Sequence, residues 1–365
     1  MMQLIKSVLT AIVILGLSLN SALSNPERAG QAGGDQLLIN PWAASSGQAG
    51  ANMANVSGYE SMNLNPAGLV GQAGTEVGYS RTTWLSGSDI FINSMGFSQS
   101  LGMDDAHAIG VSLVSLDMGD FVRRTSAHPE GELGNFEPQF LNVAVGYSRL
   151  FSHAIRGGAT IRVVSEQTPE VSARGVAIDA GIQYVAGEYD NMRFGIALRN
   201  VGPAMQYRGE GLAVRGSFSE ADFDMTLQKR SQQFEIPSLL SIGGHYGFHL
   251  ERTEEENEEG DLEESVRQEL AVNASFVSNS FRHDLFNLGL EYTFKDLFRV
   301  RGGFVYEESL FSEDDRMTAT AGPTAGAGVK IPLGEDLGAS FEVDYSFRQT
   351  HNFNHTHNFG GRITF

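Results

Sequence analysis

The chain of 365 residues lacks cysteine and has few basic residues. The absence of cysteine excludes disulfides, thiolate metal sites and lipid attachment to a cysteine. With 25 Lys and Arg against 44 Asp and Glu, the formal net charge is −19, which argues against nucleic acid or anionic lipid as a nonspecific partner. The mean hydropathy of −0.17 excludes a bundle of membrane helices.

Glycine, in contrast, is abundant. It accounts for 43 residues, and the charged fraction is 19%; average proteins have about 7% glycine and about 25% charged residues. This composition is typical of neither a disordered chain nor a helical enzyme.

The first 24 residues have the pattern of a cleaved secretory signal peptide. Lys6 precedes an apolar run from Val8 to Leu19, and Ala22-Leu23-Ser24 provides a small-x-small cleavage pattern. The alternative is an N-terminal membrane anchor, but about 20 apolar residues are needed to span a bilayer and this run is shorter. The pattern therefore predicts export to the periplasm, the outer membrane or the medium.

Residues 75–365 alternate between apolar and polar positions in segments of strand type. For example, Phe341, Val343 and Tyr345 alternate with Glu342 and Asp344, so the two sets face opposite sides of a strand. A soluble β-sandwich would alternate as well. Segments long enough to cross a bilayer obliquely, with short connections alternating with long ones, favour an outer-membrane barrel.

Counting strands backwards from the last residue gives an even number. The predicted strands are 75–84, 90–102, 107–118, 138–150, 154–167, 174–186, 192–202, 236–250, 268–279, 283–294, 297–308, 322–333, 337–349 and 354–365. The prediction is an all-β, 14-stranded antiparallel transmembrane β-barrel in the outer membrane of a diderm bacterium, provided that 203–235 is one long outer loop. If that loop were a strand pair, the barrel would have sixteen strands.

The end of the chain carries a possible assembly signal. Phe359, Ile363 and Phe365 alternate with polar residues in a terminal strand. This ending resembles the C-terminal strand by which the barrel-assembly machinery recognises its clients, so that machinery and outer-membrane lipid are expected partners.

Residues 25–74 do not alternate and are rich in Gly, Ala, Ser and Asn. Fourteen strands enclose more space than their own side chains fill, and many inward positions are glycines, such as Gly146, Gly181, Gly195, Gly289, Gly303 and Gly338. We therefore expect 25–74 to enter the barrel as a plug. A flexible periplasmic tail is the alternative.

Charged side chains also fall at inward positions. They are Arg162, Arg193, Arg199, Arg299, Arg301, Glu342, Asp344, Arg348 and Arg362. Unpaired buried charge is costly, so these residues are expected to pair with the plug or with each other. A polar pathway for a solute is the other interpretation.

Four sequence stretches resemble the PorV/PorQ family of outer-membrane barrels, within the wider superfamily of the long-chain fatty-acid transporter. The first is Gly47-Gln48-Ala49-Gly50-Ala51 followed by Glu60-Ser61-Met62-Asn63-Leu64-Asn65-Pro66-Ala67-Gly68-Leu69. Its plug motif is Asn63, Asn65, Pro66 and Gly68. The others, in order, are 114–119, 175–181 and 199–202. The resemblance implies a fourteen-stranded barrel with its N-terminal segment inside.

The resemblance also implies a function in protein export. PorV-like members work in type IX secretion, where they bind the C-terminal signal domains of cargo and the large translocon, so these are expected partners and loop 203–235 is an expected docking surface. The alternative function is an outer-membrane transporter of hydrophobic small molecules, as in the fatty-acid superfamily.

Catalytic and metal-binding patterns are missing from the sequence. No G-x-S-x-G, P-loop, dinucleotide-binding or H-E-x-x-H motif occurs, so no catalytic residue, cofactor or metal is expected. His351, His355 and His357 cluster near the last outer turn, where polar surface histidines are favoured over a metal site.

An acidic insertion at 251–264 departs from the family pattern. It contains nine acidic residues and one arginine. We expect a solvated, self-repelling periplasmic loop; a site for a divalent cation or a basic partner is the alternative, although the spacing does not fit an EF-hand.

Overall fold

The computed structural model describes residues 28, 30–102, 105–125, 127–131, 133–187, 189–217, 224–256, 262–312, 316–334, 338–351 and 353–365. The predicted signal peptide, residues 1–24, lies outside this part of the chain. Within the part described, no helix is both long and apolar enough to cross a bilayer.

Fourteen antiparallel strands form a closed barrel, in which every strand pairs with its neighbours along the chain and the last pairs with the first. This confirms the predicted fold class and strand number. The wall strands are β1 (Thr75–Trp84), β2 (Ile90–Leu101), β3 (His107–Asp117), β4 (Gln139–Ser152), β5 (Ile155–Gln167), β6 (Ser172–Ala186), β7 (Met192–Val201), β8 (Leu239–Glu256), β9 (Leu262–Asn279), β10 (Leu285–Phe294), β11 (Phe298–Glu307), β12 (Gly322–Pro332), β13 (Ser340–Arg348) and β14 (Thr356–Thr364).

The wall is apolar outside and mainly polar inside, the reverse of a soluble protein. Val145 and Ile161 face outward and are each 57% exposed, whereas Ala144 and Thr160, one residue earlier in β4 and β5, are each 1% exposed. The period of two along a strand separates the sets. An exposed band of Val, Ile, Leu and aromatic side chains around a closed barrel is the lipid-facing surface of a membrane β-barrel.

The two ends of the barrel differ. Thr75 and Phe365 lie at the end with the tight turns, such as 153–154 and 295–297, and the long connections 118–138, 202–238 and 308–321 lie at the opposite end. Short turns are periplasmic in such barrels, so the long loops face outward. The described residues of the loop 202–238 form small sheets of their own, in which 205–206 pairs with 233–234 and 213–217 with 224–228. Met205 and Ile236 of this loop pack in a buried cluster with Leu37 and with Ala173 and Ala177 of β6.

The acidic insertion 251–264, predicted as a solvated, self-repelling loop, is strand rather than loop in its two flanks. The pairing of β8 with β7 ends at Tyr246, and that of β9 with β10 ends at Gln268. Beyond these positions β8 and β9 still pair with each other, with Glu254 opposite Glu264 and Glu255 opposite Glu263. The backbone ladder of β8 and β9 thus extends into the acidic insertion on both sides. Residues 257–261 lie outside the described part of the chain.

The N-terminal segment lies inside the barrel as a series of short helices. They are the α-helices Ala43–Gly47 and Ser61–Leu64 and the 3-10 helices Asp35–Leu38, Ala51–Ala54, Gly58–Glu60 and Pro66–Gly71. Gly34, Gly50 and Gly58 lie at the starts of three of these helices and have positive φ angles. This left-handed backbone conformation interrupts the helical path, so each helix stays short. Trp42 and Met62 are among the most buried side chains of the molecule.

Inward glycines of the wall make room for this segment. A Cβ atom on Gly146 would approach Met62, one on Gly181 would approach Asn65, and one on Gly195 would approach Ala54. A Cβ atom on either Gly289 or Gly303 would approach Gln48. The predicted inward glycine Gly338 is different, since it precedes β13 in a turn with a φ of 58°. The first five positions therefore let the backbones of wall and plug approach closely.

Candidate functional site

The Asn-Pro-Ala-Gly-Leu motif forms the last part of the plug, just before β1 begins at the periplasmic end. The side-chain oxygen of Asn65 accepts a hydrogen bond from the amide of Ala67 at 3.1 Å and caps the helix that starts at Pro66, while its amide donates to the carbonyl of Ile182 in β6 at 3.1 Å. A Cβ on Gly68 would strike the carbonyl of Val56. The motif thus caps a helix, starts it with proline and joins it to the wall.

A buried carboxylate in β6 organises the wall beside this motif. The two oxygens of Asp179 accept hydrogen bonds from the Arg162 guanidinium at 3.0 Å and from the backbone amide of Asn200 at 2.6 Å. Arg162 also donates to the carbonyl of Met62 in the plug at 3.0 Å. This cluster ties three wall strands to the plug.

The contact with Asn200 stabilises a β-bulge. Asp179 lies opposite both Arg199 and Asn200, because Ile178 pairs with Val201 and Ala180 pairs with Leu198. Asn200 has a φ of 60°, and the bulge turns two consecutive side chains inward. Arg199 thereby reaches the plug, where it donates to the carbonyl of Asn63.

A second charge cluster lies on the other side of the lumen. Arg301 of β11 contacts Glu291 at 2.5 Å and also forms ion pairs with Asp344 and Glu342. Arg299 pairs with Glu342 as well. Glu291 lies on β10, next to β11, whereas Glu342 and Asp344 lie on β13, so their ion pairs cross over β12 at Gly328. The cluster therefore links β10, β11 and β13 beside the plug helix Ala43–Gly47.

Arg362 connects the wall with the plug directly. Its guanidinium forms an ion pair with Glu60 of the plug at 2.5 Å and a longer one with Glu76 of β1 at 3.5 Å. Glu60 also accepts a hydrogen bond from Ser45 at 2.5 Å. Two plug segments and two wall strands therefore meet at one buried carboxylate.

Above the plug, toward the outer end, lies a cavity of about 120 Å³ that we call the outer chamber. Its floor includes Ala49, Met53 and Leu64 of the plug, and its wall includes residues of β7–β11 and β13. Among the wall residues, the apolar ones are Leu239, Val277, Leu285 and Val305, and the polar or charged ones include Arg199, Ser241, Ser275, Asn287 and Arg348.

The start of the described chain crosses the outer rim. Arg28 pairs with Glu235 at 3.1 Å, and Asp35 pairs with Arg282 at 2.7 Å. Nearby, Tyr207 of the outer loop donates to Glu166. Burial, and then this hydrogen bond, raise the pKa of Tyr207, so the phenol stays protonated and donates at neutral pH.

Every lumen charge predicted from the alternation faces inward, but the partners differ. Arg162, Arg299, Arg301 and Arg362 have carboxylate partners, and Arg193 donates to the side chain of Asn55 at 2.6 Å. Arg348 donates to the hydroxyl of Ser46 at 2.9 Å. Pairing thus accounts for most of these residues, while Arg199 and Arg348 border the outer chamber.

Sequence reasoning did not single out several carboxylates of these clusters. Glu76 and Glu291 lie at inward positions of alternating strands, so the alternation alone could have identified them. Asp179 stood in a motif already recognised as similar to the family. Glu60 begins the second part of the first similar stretch, but it lies in the non-periodic plug, where the sequence does not indicate its partner.

The histidines of the last outer turn do not converge. His357 contacts the hydroxyl of Tyr345 at 2.8 Å, and His355 packs on Phe347. Among the described residues, no group of three or more His, Asp or Glu side chains is arranged to hold a metal ion.

The terminal strand closes the barrel. Phe359 and Phe365 are exposed on the outside of β14 and just after it, and Ile363 is opposite Val77 of β1. The role of these residues as an assembly signal stays a prediction.

Several solved structures are similar to this barrel in fold. The CymD monoaromatic hydrocarbon channel matches 90% of this chain and 97% of its own at 13% identity with a TM-score of 0.53. The Pseudomonas putida toluene transporter TodX covers 89% of this chain and 97% of its own, at 13% identity and a TM-score of 0.52. A Pseudomonas aeruginosa FadL homologue covers 88% of this chain and 97% of its own, at 12% identity and a TM-score of 0.52. The chain has the fold of the FadL-like barrels.

No protein-family model matches the chain, and no curated protein matches it by sequence. The closed fourteen-stranded wall with its apolar outer face is that of an outer-membrane protein of a Gram-negative-type bacterium. The assignment to the PorV/PorQ family rests only on the four sequence stretches.

Proposed function

We propose that the protein is a non-enzymatic outer-membrane channel for small hydrophobic molecules. The observation that carries this proposal is the outer chamber, a cavity at the outer end of a closed barrel with Leu and Val side chains in its wall and the plug as its floor. Apolar walls with a few placed polar groups are usual for small-molecule sites. The similarity in fold to a monoaromatic hydrocarbon channel and to a toluene transporter supports the same function.

In this proposal, a solute enters between the outer loops and occupies the outer chamber. Rearrangement of the plug then opens a path to the periplasm. The wall of the barrel is continuous in hydrogen bonding around all fourteen strands, so the plug is the part that must move. The ion pairs and hydrogen bonds between plug and wall would then determine how readily the plug moves.

The experiment is uptake of radiolabelled toluene by a diderm host whose outer membrane is otherwise poorly permeable to it. Val277→Trp, which adds bulk at a wall position of the outer chamber, should reduce the uptake rate at least fivefold. Val300→Trp is the matched control, because Val300 faces outward and is 60% exposed. Equal uptake with and without the protein would contradict the proposal.

A role in type IX secretion is a second candidate, supported by the resemblance of the four stretches and by the large outer loop 202–238. The three solved structures with the same fold are named as a channel, a transporter and a FadL homologue, which favours the transport function. Affinity purification of the tagged protein would recover a giant barrel partner or cargo C-terminal domains if the secretion role holds; recovery of neither would contradict it.

A further inference from the structure

The charge of the outer chamber is opposite in sign to that of the chain. The whole sequence has an excess of 44 acidic over 25 basic residues. The described residues that line the chamber nevertheless include three arginines, Arg199, Arg282 and Arg348, and the histidine His283, but no carboxylate. Arg282 and His283 lie beside the carboxylates of Asp35 and Glu308, respectively, but arginines in the wall of a cavity without a carboxylate favour an anionic occupant.

Two of these arginines keep free donors toward the chamber. Arg282 forms an ion pair with Asp35. Within the described part of the chain, Arg199 and Arg348 have no ion-pair partner, and the contact recorded for each is a single neutral acceptor, the carbonyl of Asn63 and the hydroxyl of Ser46. A guanidinium has five N–H donors in a planar fork that matches a carboxylate.

The difference from the other lumen arginines is specific. Arg301 faces three carboxylates and Arg162 faces one, which compensates their charge within the protein. A buried cation without a counter-charge is costly. Arg348 is such a cation, because its contact is the neutral hydroxyl of Ser46. Arg199 lies opposite Asp179 at the bulge but forms no direct ion pair with it, and a bound anion would compensate Arg348 first.

Polar atoms without partners lie in the same cavity. The hydroxyls of Ser241 and Ser275 and the side-chain oxygen of Asn287 are buried in residues that are 1%, 6% and 9% exposed, and in the structure none of the three atoms forms a hydrogen bond. Buried polar groups normally have partners. All three residues line the chamber, so the wall of the cavity is polar as well as apolar.

The size of the cavity limits the ligand. A dry apolar cavity of about 150 Å³ holds one benzene molecule, so a chamber of about 120 Å³ is on the scale of a single ring or a short branched chain. The side chains of Leu239, Val277, Leu285 and Val305 provide an apolar surface for such a body.

We propose that the outer chamber selects compact organic carboxylates: one apolar ring or short chain with one carboxylate group. The carboxylate accepts hydrogen bonds from Arg199 or Arg348 and from the serine hydroxyls, and the apolar body packs on the Leu and Val side chains. This inference rests on the proposed transport function and names the substrate class of that same site.

The test is calorimetric binding of benzoate and of its neutral analogue benzamide to the detergent-solubilised full-length protein at pH 7.5, where the carboxylate is ionised. Uptake of benzoate and of toluene is measured in parallel in the host described above. We expect benzoate to bind at least about tenfold more tightly than benzamide, since hydrogen bonds to a charged group contribute more than neutral ones.

Two substitutions locate the effect. Arg199→Gln and Arg348→Gln should each weaken benzoate binding about tenfold or more and leave benzamide binding unchanged, while Arg199→Lys and Arg348→Lys, which keep the charge, should retain part of the preference. Arg174→Gln is the matched control, because Arg174 is exposed in β6. Heat-modified gel migration checks that each variant forms a closed barrel.

The outcomes separate the two proposals. Equal affinity for benzoate and benzamide, or unchanged benzoate binding in both Gln variants, overturns carboxylate selection. If toluene uptake persists in that case, the channel function stands and only the substrate class fails. If the protein takes up neither benzoate nor toluene, both proposals fail together.

Discussion

Gly302 and Gly303 are consecutive residues of β11 that face different surroundings. A Cβ on Gly303 would lie 2.7 Å from the backbone carbonyl carbon of Gln48 and 2.8 Å from the amide nitrogen of Ala49, both in the plug, whereas a Cβ on Gly302 would meet no atom within 4 Å. Two chemically identical positions therefore report separately on the plug and on the lipid-facing surface.

Gly303→Ala should destabilise the protein by about 1–3 kcal/mol, because the added methyl group overpacks a backbone contact that cannot move easily. Gly302→Ala should change the free energy of unfolding by less than about 0.5 kcal/mol. Urea unfolding in detergent micelles measures both. Equal effects of the two substitutions would show that the plug does not lie against β11.

Asp179→Asn should cost about 3 kcal/mol of stability, because it leaves the buried guanidinium of Arg162 without its counter-charge. The same substitution should disturb the bulge at Asn200 and with it the position of Arg199. Asp120→Asn, at an exposed outer-loop position, is the matched control. Urea midpoints of both variants test this, and a change below about 1 kcal/mol for Asp179→Asn would contradict it.

Glu60→Gln should loosen the plug. It removes the carboxylate that pairs with Arg362 inside the barrel, for which we expect a loss of about 3 kcal/mol and a higher ionic current in planar bilayers. Glu170→Gln removes the exposed ion pair with Arg123 and should cost less than about 1 kcal/mol. Currents that are the same in wild type and in Glu60→Gln would argue that this ion pair does not restrain the plug.

A disulfide can test whether the plug must move. The Cβ of Ala43 lies 3.2 Å from the position that a Cβ on Gly360 would occupy, close to the 3.5–4.5 Å typical of disulfides, and the chain has no cysteine of its own. The double variant Ala43→Cys/Gly360→Cys should form the bond on oxidation. Toluene uptake should fall at least fivefold and recover when the bond is reduced.

The single variant Gly360→Cys controls for the effect of the substitution itself. If the oxidised double variant takes up toluene at the wild-type rate, the helix Ala43–Gly47 stays in place during transport, and the path must open elsewhere in the plug.

Much of the barrel was predictable because a strand repeats every two residues. That period assigned Glu342 and Asp344 to the lumen and Val343 to the lipid, and the parity of short and long connections gave fourteen strands. The acidic hairpin was the exception. The run of acidic residues indicates a loop, but the pairing of β8 with β9 at this place continues a ladder that begins in the barrel wall.

The site was less accessible to sequence reasoning. The plug has no period, so nothing in the sequence indicated that Glu60 would meet Arg362, 302 positions away. The bulge that turns both Arg199 and Asn200 inward violates the alternation on which the prediction depended, and it exists because Asp179 on a neighbouring strand accepts the amide of Asn200.

The sequence by itself determined the wall. The alternation, the glycine positions and the turn residues act locally, and each strand pairs with strands that are its neighbours along the chain. Only the tertiary structure decided which arginines are compensated and which are left facing the outer chamber. That distinction depends on distances between strands and plug segments far apart in the chain, and such distances exist only once the barrel has closed around its N-terminal segment.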